Sequence, residues 1–396
     1  MGIAISKLAS SVQPSATLAA GAKARQLRAA GVEVFDFSLG EPDFPTPQHI
    51  CAAAVEAMHQ GKTHYTPAAG TAEARATVAQ WYARTYGLAV QPDEVIISNG
   101  AKHSIHNALA ATVGPGDEVI IPTPYWVSYS DLVRMTGAKP VLVPTSLASG
   151  FKLSPAQLRA ALTPASRLLM LNSPCNPTGT VYTRDELAAL VDVALEANLT
   201  ILSDEIYEQL TFGSAQPTCV ATLRPELRQR TITISGLSKT YAMTGWRMGW
   251  TVAPAHVVKA MDNIQSQETG CPSSISQAAL VAALTGPQDC VSVMRAEFAA
   301  RCQLACELVA RLPNVTFPRP EGAFYVFFDV SAHFGRNLAS QPVTDSISFC
   351  KIALEAAQVN LVPGDAFGAP GFVRMSYACA RDQIERGLAS LSQLLQ

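Results

Sequence analysis

Ser235-Gly236-Leu237-Ser238-Lys239-Thr240-Tyr241-Ala242-Met243-Thr244-Gly245-Trp246-Arg247-Met248-Gly249 follows a β-branched run, Thr231-Ile232-Thr233-Ile234. The run predicts a short buried strand. The small residues after it let the backbone turn sharply, which brings Lys239 to the strand end. Arg247 lies between Trp246 and Met248. An arginine in an apolar stretch asks for an anionic partner, because a buried unpaired charge is very costly. Taken singly, Lys239 reads as an exposed lysine and Arg247 as one half of a surface ion pair. Lysine, glycines and arginine together at fixed spacing favour a site.

Composition sets the bounds. The chain has 396 residues, 48% of them apolar, enough for one large domain and a smaller one. A net charge of −2 gives no bulk electrostatic case for nucleic acid or an anionic membrane. Charged residues make up only 15%; surface buried between subunits would explain this, and so would the high alanine content. The nine cysteines include no Cys-x-x-Cys pair, which predicts reduced thiols in a cytoplasm and no metal. Cys302 and Cys306 share one face of a predicted helix, where packing is the expected role. The N-terminus shows no signal-peptide pattern, and no apolar run is long enough to span a bilayer.

Strand and helix signals alternate along the middle of the chain. A helix is predicted over Thr17 to Ala30, with Ser15 and Thr17 as N-cap candidates after Pro14. A strand over Val34 to Ser38 runs into Gly40-Glu41-Pro42-Asp43, where Gly40 either turns the chain or lets a ligand approach its backbone. Val95-Ile96-Ile97-Ser98 is a strand, Asn99-Gly100-Ala101-Lys102 its turn, and a helix follows through Val113. That arrangement offers N–H groups and a positive helix end to a phosphate. Lys102 is unfavourable there for the helix dipole, which favours a functional role over a structural one. Further strands are Glu118 to Ile121, Lys139 to Thr145, Arg167 to Asn172, Thr200 to Ser203 and Arg230 to Ile234. Strands alternating with helices imply a mainly parallel sheet covered on both faces, with active groups at the strand ends. Trp126 fits either a core or a flat platform for an aromatic ligand. Asn176 sits in a rigid Pro-x-x-Pro turn, and Asp204 directly follows a strand. A long helix from Asp289 to Leu312 leads to strands over Glu321 to Val326 and Phe372 to Tyr377. Arg374, among apolar residues, again asks for an anion. The fold class is α/β: a large domain (41–288) with a mainly parallel sheet covered by helices, and a smaller α+β domain from both termini (1–40 and 289–396).

The lysine stretch resembles the cofactor attachment site of class I, or fold-type I, pyridoxal-phosphate-dependent aminotransferases, in the branch that holds bacterial aspartate aminotransferases. Gly236, Ser238, Lys239, Gly245, Arg247 and Gly249 fit that pattern. The resemblance runs nearly end to end. It includes Pro14-Ser15-Ala16-Thr17, Gly40 to Phe44, Pro124 to Tyr129, Asn176-Pro177-Thr178-Gly179, Ser203 to Tyr207 and Val373 to Tyr377. It implies that Lys239 carries pyridoxal 5'-phosphate as a Schiff base and, once freed, moves the substrate Cα proton. It implies that Asp204 pairs with the ring nitrogen, that Asn176 and Tyr207 bond the ring oxygen, and that Trp126 stacks on the ring. Gly100, Ala101, Lys102, Ser238 and Arg247 would line the phosphate end. Tyr65, in a Tyr-x-x-x-x-Gly loop, would reach the phosphate of a partner subunit, which implies a homodimer with shared active sites. Arg374 would clamp the substrate α-carboxylate, assisted by Gly40 and Asn176.

For the substrate side chain, the resemblance implies that Lys102, with Ser15 and Thr17, receives a second carboxylate, so L-aspartate and a 2-oxo acid such as 2-oxoglutarate are the expected substrates. Relatives that also transaminate prephenate carry Lys before the Pro-Ser-Ala-Thr run, where this chain has Gln13. Glu268, if it faced the substrate, would repel a second carboxylate, and Gly236 removes a hydroxyl that many relatives direct at the phosphate. Prephenate, aromatic or neutral amino acids are the alternative substrates. A carbon–sulfur lyase or a cyclopropane-forming synthase on the same fold is a further alternative. A regulatory cofactor-binding domain would need an N-terminal DNA-binding module, for which the stretch before the first strand leaves no room.

Overall fold

The computed structural model describes residues 3–12, 14 and 16–396. Seven strands form the central sheet: β1 (Val95–Ser98), β2 (Glu118–Thr123), β3 (Lys139–Pro144), β4 (Ser166–Asn172), β5 (Thr200–Asp204), β6 (Thr231–Gly236) and β7 (Gly249–Val252). Their order is β1-β7-β6-β5-β4-β2-β3. The pairs from β6 to β3 are parallel, and β7 alone runs antiparallel to both its neighbours, β1 and β6.

Side-chain alternation explains why these strands read as continuous apolar runs. Leu168, Met170, Leu202 and Ile232 enter one core with Ile105 and Leu109. Leu169, Leu171 and Ile201 enter the core on the other face with Leu187, Leu190 and Val191. Both faces are covered, so both sets must be apolar. Helix α1 (Ala101–Thr112) lies against α2 (Ala255–Glu268) on the first face. The parallel strands all finish at one edge, and there Asn172, Asp204 and Gly236 end their strands together.

A second, smaller sheet has β8 (Tyr325–Asp329), β9 (Val362–Pro363) and β10 (Phe372–Ser376), all antiparallel in the order β9-β10-β8. The helices Asp289–Val309 and Arg381–Leu395 pack with it around Phe298, Phe324, Phe328 and Leu391. Phe35 and Phe37 join the same core, and Phe35–Asp36 pairs in parallel with Val359–Asn360.

Two expected strands are shorter or displaced. Over Val34 to Ser38 only Phe35–Asp36 pairs, because the Asp36 carboxylate takes the Ser38 N–H and turns the chain. The strand expected from Glu321 begins instead at Tyr325. The N–H groups of Glu321 and Gly322 both bond Gly179 O, and that of Ala323 bonds Leu210 O, so those amides brace loops of the large sheet. Among the described residues no helix is long and apolar enough to cross a membrane.

Candidate active site

A cavity of about 430 Å³ opens at the strand-end edge, and residues from both sheets line it. Lys239 sits in the short helix Leu237–Thr240 that directly follows β6. The turn between them requires Gly236: a Cβ there would lie 2.8 Å from Met248 O and 2.9 Å from Gly249 Cα. The missing hydroxyl at this position is therefore the consequence of a close backbone approach. Lys239 Nζ donates to Gly40 O. Burial is the main cause that lowers the lysine to about 8, with Glu41 opposing and Arg374 and Arg247 adding to the shift. A lysine in that range is available as a neutral amine near pH 8.

Asp204 ends β5 and is buried. Tyr129 OH donates to its Oδ2 at 2.6 Å, and the Ile206 N–H bonds its Oδ1 at 3.2 Å. Burial nevertheless raises the acid to about 6, so a cationic group brought to it would be strongly attracted. Asn172 Nδ2 donates to Asp204 O, and Asn172 Oδ1 accepts the Asn176 N–H, both at 2.9 Å. These bonds tie the rigid Asn176 turn to the Asp204 strand end.

Arg374, on β10, is 1% exposed and crosses from the smaller sheet to meet this edge. Its Nη1 donates to Asn176 Oδ1 at 2.9 Å and its Nη2 to Ser38 O at 2.7 Å, while its Nε is buried without a partner. No carboxylate among the described residues pairs with it. Tyr325 lies under its guanidinium, 4.5 Å from the ring centre, and the Tyr325 and Tyr207 hydroxyls are 2.8 Å apart. Tyr207 is buried, and burial holds its phenol well above its ordinary value, so it is a neutral hydrogen-bonding group.

The other end of the cavity is cationic. Gly100 has φ +85° and caps the N-terminus of α1, and a Cβ there would overlap the Arg247 guanidinium. Arg247 is not buried as its apolar neighbours suggest; it is exposed at the cavity mouth and donates to Thr244 O. Ala101 and Ser238 line the same end. Lys102 Nζ lies 4.9 Å from the Trp126 ring centre, and burial and Arg247 lower its pKa. Trp126 packs edge-on to Tyr129 at 5.4 Å.

Most predicted site residues therefore meet in one place: Gly40, Ala101, Lys102, Trp126, Asn176, Asp204, Tyr207, Ser238, Lys239, Arg247 and Arg374 all line the cavity. Tyr65 does not; it is 96% exposed on the surface. Glu268 does not face the cavity either, but pairs with His106 at 3.0 Å, which removes the anticipated repulsion of a second carboxylate. Ser15 and Gln13 lie outside the described residues; Thr17 is in the helix Ala16–Ala29. The sequence reading missed Tyr129, Asn172 and Ser38. Each lies in or next to a quoted motif, yet only the fold shows that Tyr129 reaches Asp204.

The residue types fit pyridoxal phosphate. The cavity has a half-buried amine, a buried acid with its pKa raised, a flat indole, and a helix start faced by an arginine for the phosphate.

Comparison with known proteins places the whole chain in one family. Residues 32–391 match the model of the family described as aminotransferase class I and II. The chain is 43% identical over 392 residues to an aspartate aminotransferase of Geobacillus stearothermophilus, with 99% of each chain covered. It is 44% identical over 382 residues to an aspartate/prephenate aminotransferase of Cereibacter sphaeroides, with 96% of each covered. A crystal structure of the Rhizobium meliloti aspartate aminotransferase superposes with a TM-score of 0.96 at 40% identity, covering 100% of this chain and 99% of that one. The chain belongs to the class I and II aminotransferases.

Proposed function

We propose that the protein transfers the amino group of L-aspartate to a 2-oxo acid such as 2-oxoglutarate, using pyridoxal 5'-phosphate held at Lys239. The observation that carries this reading is the convergence of Lys239, Asp204 and an unpaired, buried Arg374 on one cavity. The named relatives support aspartate as the donor.

Bound at Lys239, the cofactor supplies an electron-withdrawing ring that makes the substrate Cα–H acidic. The chain's own residues do the rest. Asp204, held by Tyr129 and the Ile206 N–H, would pair with the ring nitrogen and keep it protonated. Trp126 would offer the ring one flat face, Asn176 and Tyr207 would hydrogen-bond its oxygen, and Ala101, Ser238 and Arg247, with Gly100 beside the Arg247 guanidinium, would hold the phosphate. Arg374 grips the substrate α-carboxylate with its fork, fixing which bond at Cα faces Lys239. Lys239, neutral near pH 8, takes the Cα proton and delivers it again on the same face. Lys102, with no ion-pair partner among the described residues, receives the side-chain carboxylate. We assign Tyr65 to the site of a second copy, which makes the working unit a homodimer, and we place that unit in the cytoplasm. We divide the chain at 40/41 and 288/289.

The test is the half-reaction. L-aspartate alone should bleach the visible absorbance of the cofactor-loaded protein and release oxaloacetate. Lys102→Gln should slow this about tenfold or more for aspartate and leave L-alanine unchanged within about twofold, as expected for one lost charge-assisted contact. Persistence of the band with aspartate, or equal losses for both amino acids, would sink the acidic assignment. The aspartate/prephenate relative makes prephenate the second substrate to try.

A further inference from the structure

Glu268 is the last residue of α2, and it has a task that the substrate does not explain. Its two oxygens face two histidines of α1. Oε1 hydrogen-bonds His106 Nε2 at 3.0 Å, whereas Oε2 lies 3.4 Å from His103 Nε2, an ion contact outside hydrogen-bond geometry. The opposite nitrogen of His103, Nδ1, accepts the backbone N–H of Asn99 at 3.3 Å. Asn99 is also held by its side chain, whose Nδ2 donates to Thr269 Oγ1 at 3.1 Å. Asn99 immediately precedes Gly100, the left-handed residue against which Arg247 rests.

This geometry fixes a tautomer. An Nδ1 that accepts the Asn99 N–H carries no proton, so the neutral ring holds its proton on Nε2, the nitrogen that faces Glu268. The Glu268 carboxylate 3.4 Å from that nitrogen favours this form through its charge, without a hydrogen bond between them. His103 is largely buried, with 12% of its side chain exposed, so water does not readily replace either contact. The end of α2 thereby sets the backbone of the turn that opens α1.

We propose that Glu268 and His103 are positioning residues for the anion-binding turn: Glu268 holds the His103 tautomer, and His103 Nδ1 holds the Asn99 N–H so that Gly100 and Ala101 present their backbone to a phosphate. The inference rests on the reading of this turn as the cofactor phosphate site. It concerns the acceptor atom and not the bulk of the ring, so two substitutions separate the roles. Asparagine at position 103 places its Oδ1 where Nδ1 stands; leucine fills the space with no acceptor.

The experiment is equilibrium binding of pyridoxal phosphate to the apoprotein, read by visible absorbance and by ultrafiltration, with inorganic phosphate as competitor. His103→Leu should raise the Kd about tenfold, the loss of one hydrogen bond near an anion, and His103→Asn should stay within about twofold of wild type. Glu268→Ala, a change at a partly exposed residue, should raise it about threefold because the ring can invert its tautomer. Inorganic phosphate should compete more weakly in the leucine variant by the same factor. Equal Kd values for wild type and His103→Leu overturn the relay, as do equal losses in His103→Leu and His103→Asn, which would make the ring's packing the cause. A wild-type protein that takes up no cofactor overturns the phosphate reading and the relay together.

Discussion

Arg374 Nη1 donates to Asn176 Oδ1 at 2.9 Å, joining the smaller sheet to the rigid turn beyond β4. The guanidinium is fully desolvated, has only neutral partners and leaves Nε unpaired. A buried cation in that state is poised for an anion. Arg374→Lys keeps the charge but loses the fork. It should lower kcat/KM for every amino acid about 100-fold, close to 3 kcal/mol, chiefly through KM. Cofactor affinity, measured by ultrafiltration, should change by less than about threefold, since the proposed phosphate contact is a different arginine, Arg247. An equal fall in cofactor affinity would show that Arg374 shapes the whole cavity and does not serve the substrate alone.

Asp204 is stabilised by Tyr129 at 2.6 Å, yet burial still raises it to about 6. Asp204→Asn preserves the shape and removes the charge. Turnover should fall about 1,000-fold or more, because a ring nitrogen without a carboxylate partner is a weaker electron sink. The apoprotein should melt at the same temperature or higher at pH 8, since a buried carboxylate has been replaced by a neutral group. A large drop in apoprotein melting temperature would mean that Asp204 is mainly a structural residue.

The layered α/β fold was legible because strands covered on both faces must be apolar throughout, and the run Leu168-Leu169-Met170-Leu171 supplies both cores by alternation. Lys239 was legible because lysine, glycines and arginine stand at fixed spacing, and Arg374 because a cation among apolar residues asks for an anion, while Asp204, directly after a strand, took its role only from the family resemblance. What was not legible depends on contacts between distant segments. Arg247 looked buried from its neighbours, but the turn over residues 244–247, which ends with Arg247 at φ +52°, leaves it exposed at the cavity mouth. Whether Glu268 faces the substrate was open in the sequence; the fold settles it by setting His103 and His106 of α1 against its carboxylate. Tyr325 begins its strand late because Gly179 and Leu210 carbonyls capture the amides before it.

Gly100 carries a prediction that separates backbone from side chain. Its φ of +85° disfavours any other residue, and an added Cβ would press on Arg247. Gly100→Ala should destabilise the apoprotein by about 1–2 kcal/mol through backbone strain. It should also weaken cofactor binding, because Arg247 must move away from the turn. Arg247→Ala in the same background should then show a smaller further loss than it does in wild type, a coupling read from the double-mutant cycle in cofactor Kd. Strictly additive losses would mean that the two residues act on the cofactor independently.

Two acids under the same sheet edge make the last prediction. Glu205 accepts Ser203 Oγ at 2.8 Å and the Val220 N–H at 3.0 Å; Glu208 accepts Tyr86 OH at 2.6 Å. No cation among the described residues pairs with either. Burial raises Glu205 to about 8, with Glu208 adding to it, and burial raises Glu208 to about 7. The folded chain therefore binds more protons than the unfolded chain from the ordinary carboxylate range up to these values. Stability that is fully present below the unfolded pKa is lost as pH rises through the folded one. Lys239, lowered to about 8, is protonated in both states over most of that window and adds little slope below neutrality. The apoprotein should thus melt at a higher temperature at pH 5.5 than at pH 8, and Glu205→Gln should flatten the difference by removing one titrating group. The measurement is thermal unfolding across that range in wild type and variant. A wild-type profile that rises toward pH 8, or a variant profile as steep as wild type, would mean that the buried acids stay ionised and that their hydroxyl and amide donors outweigh their burial.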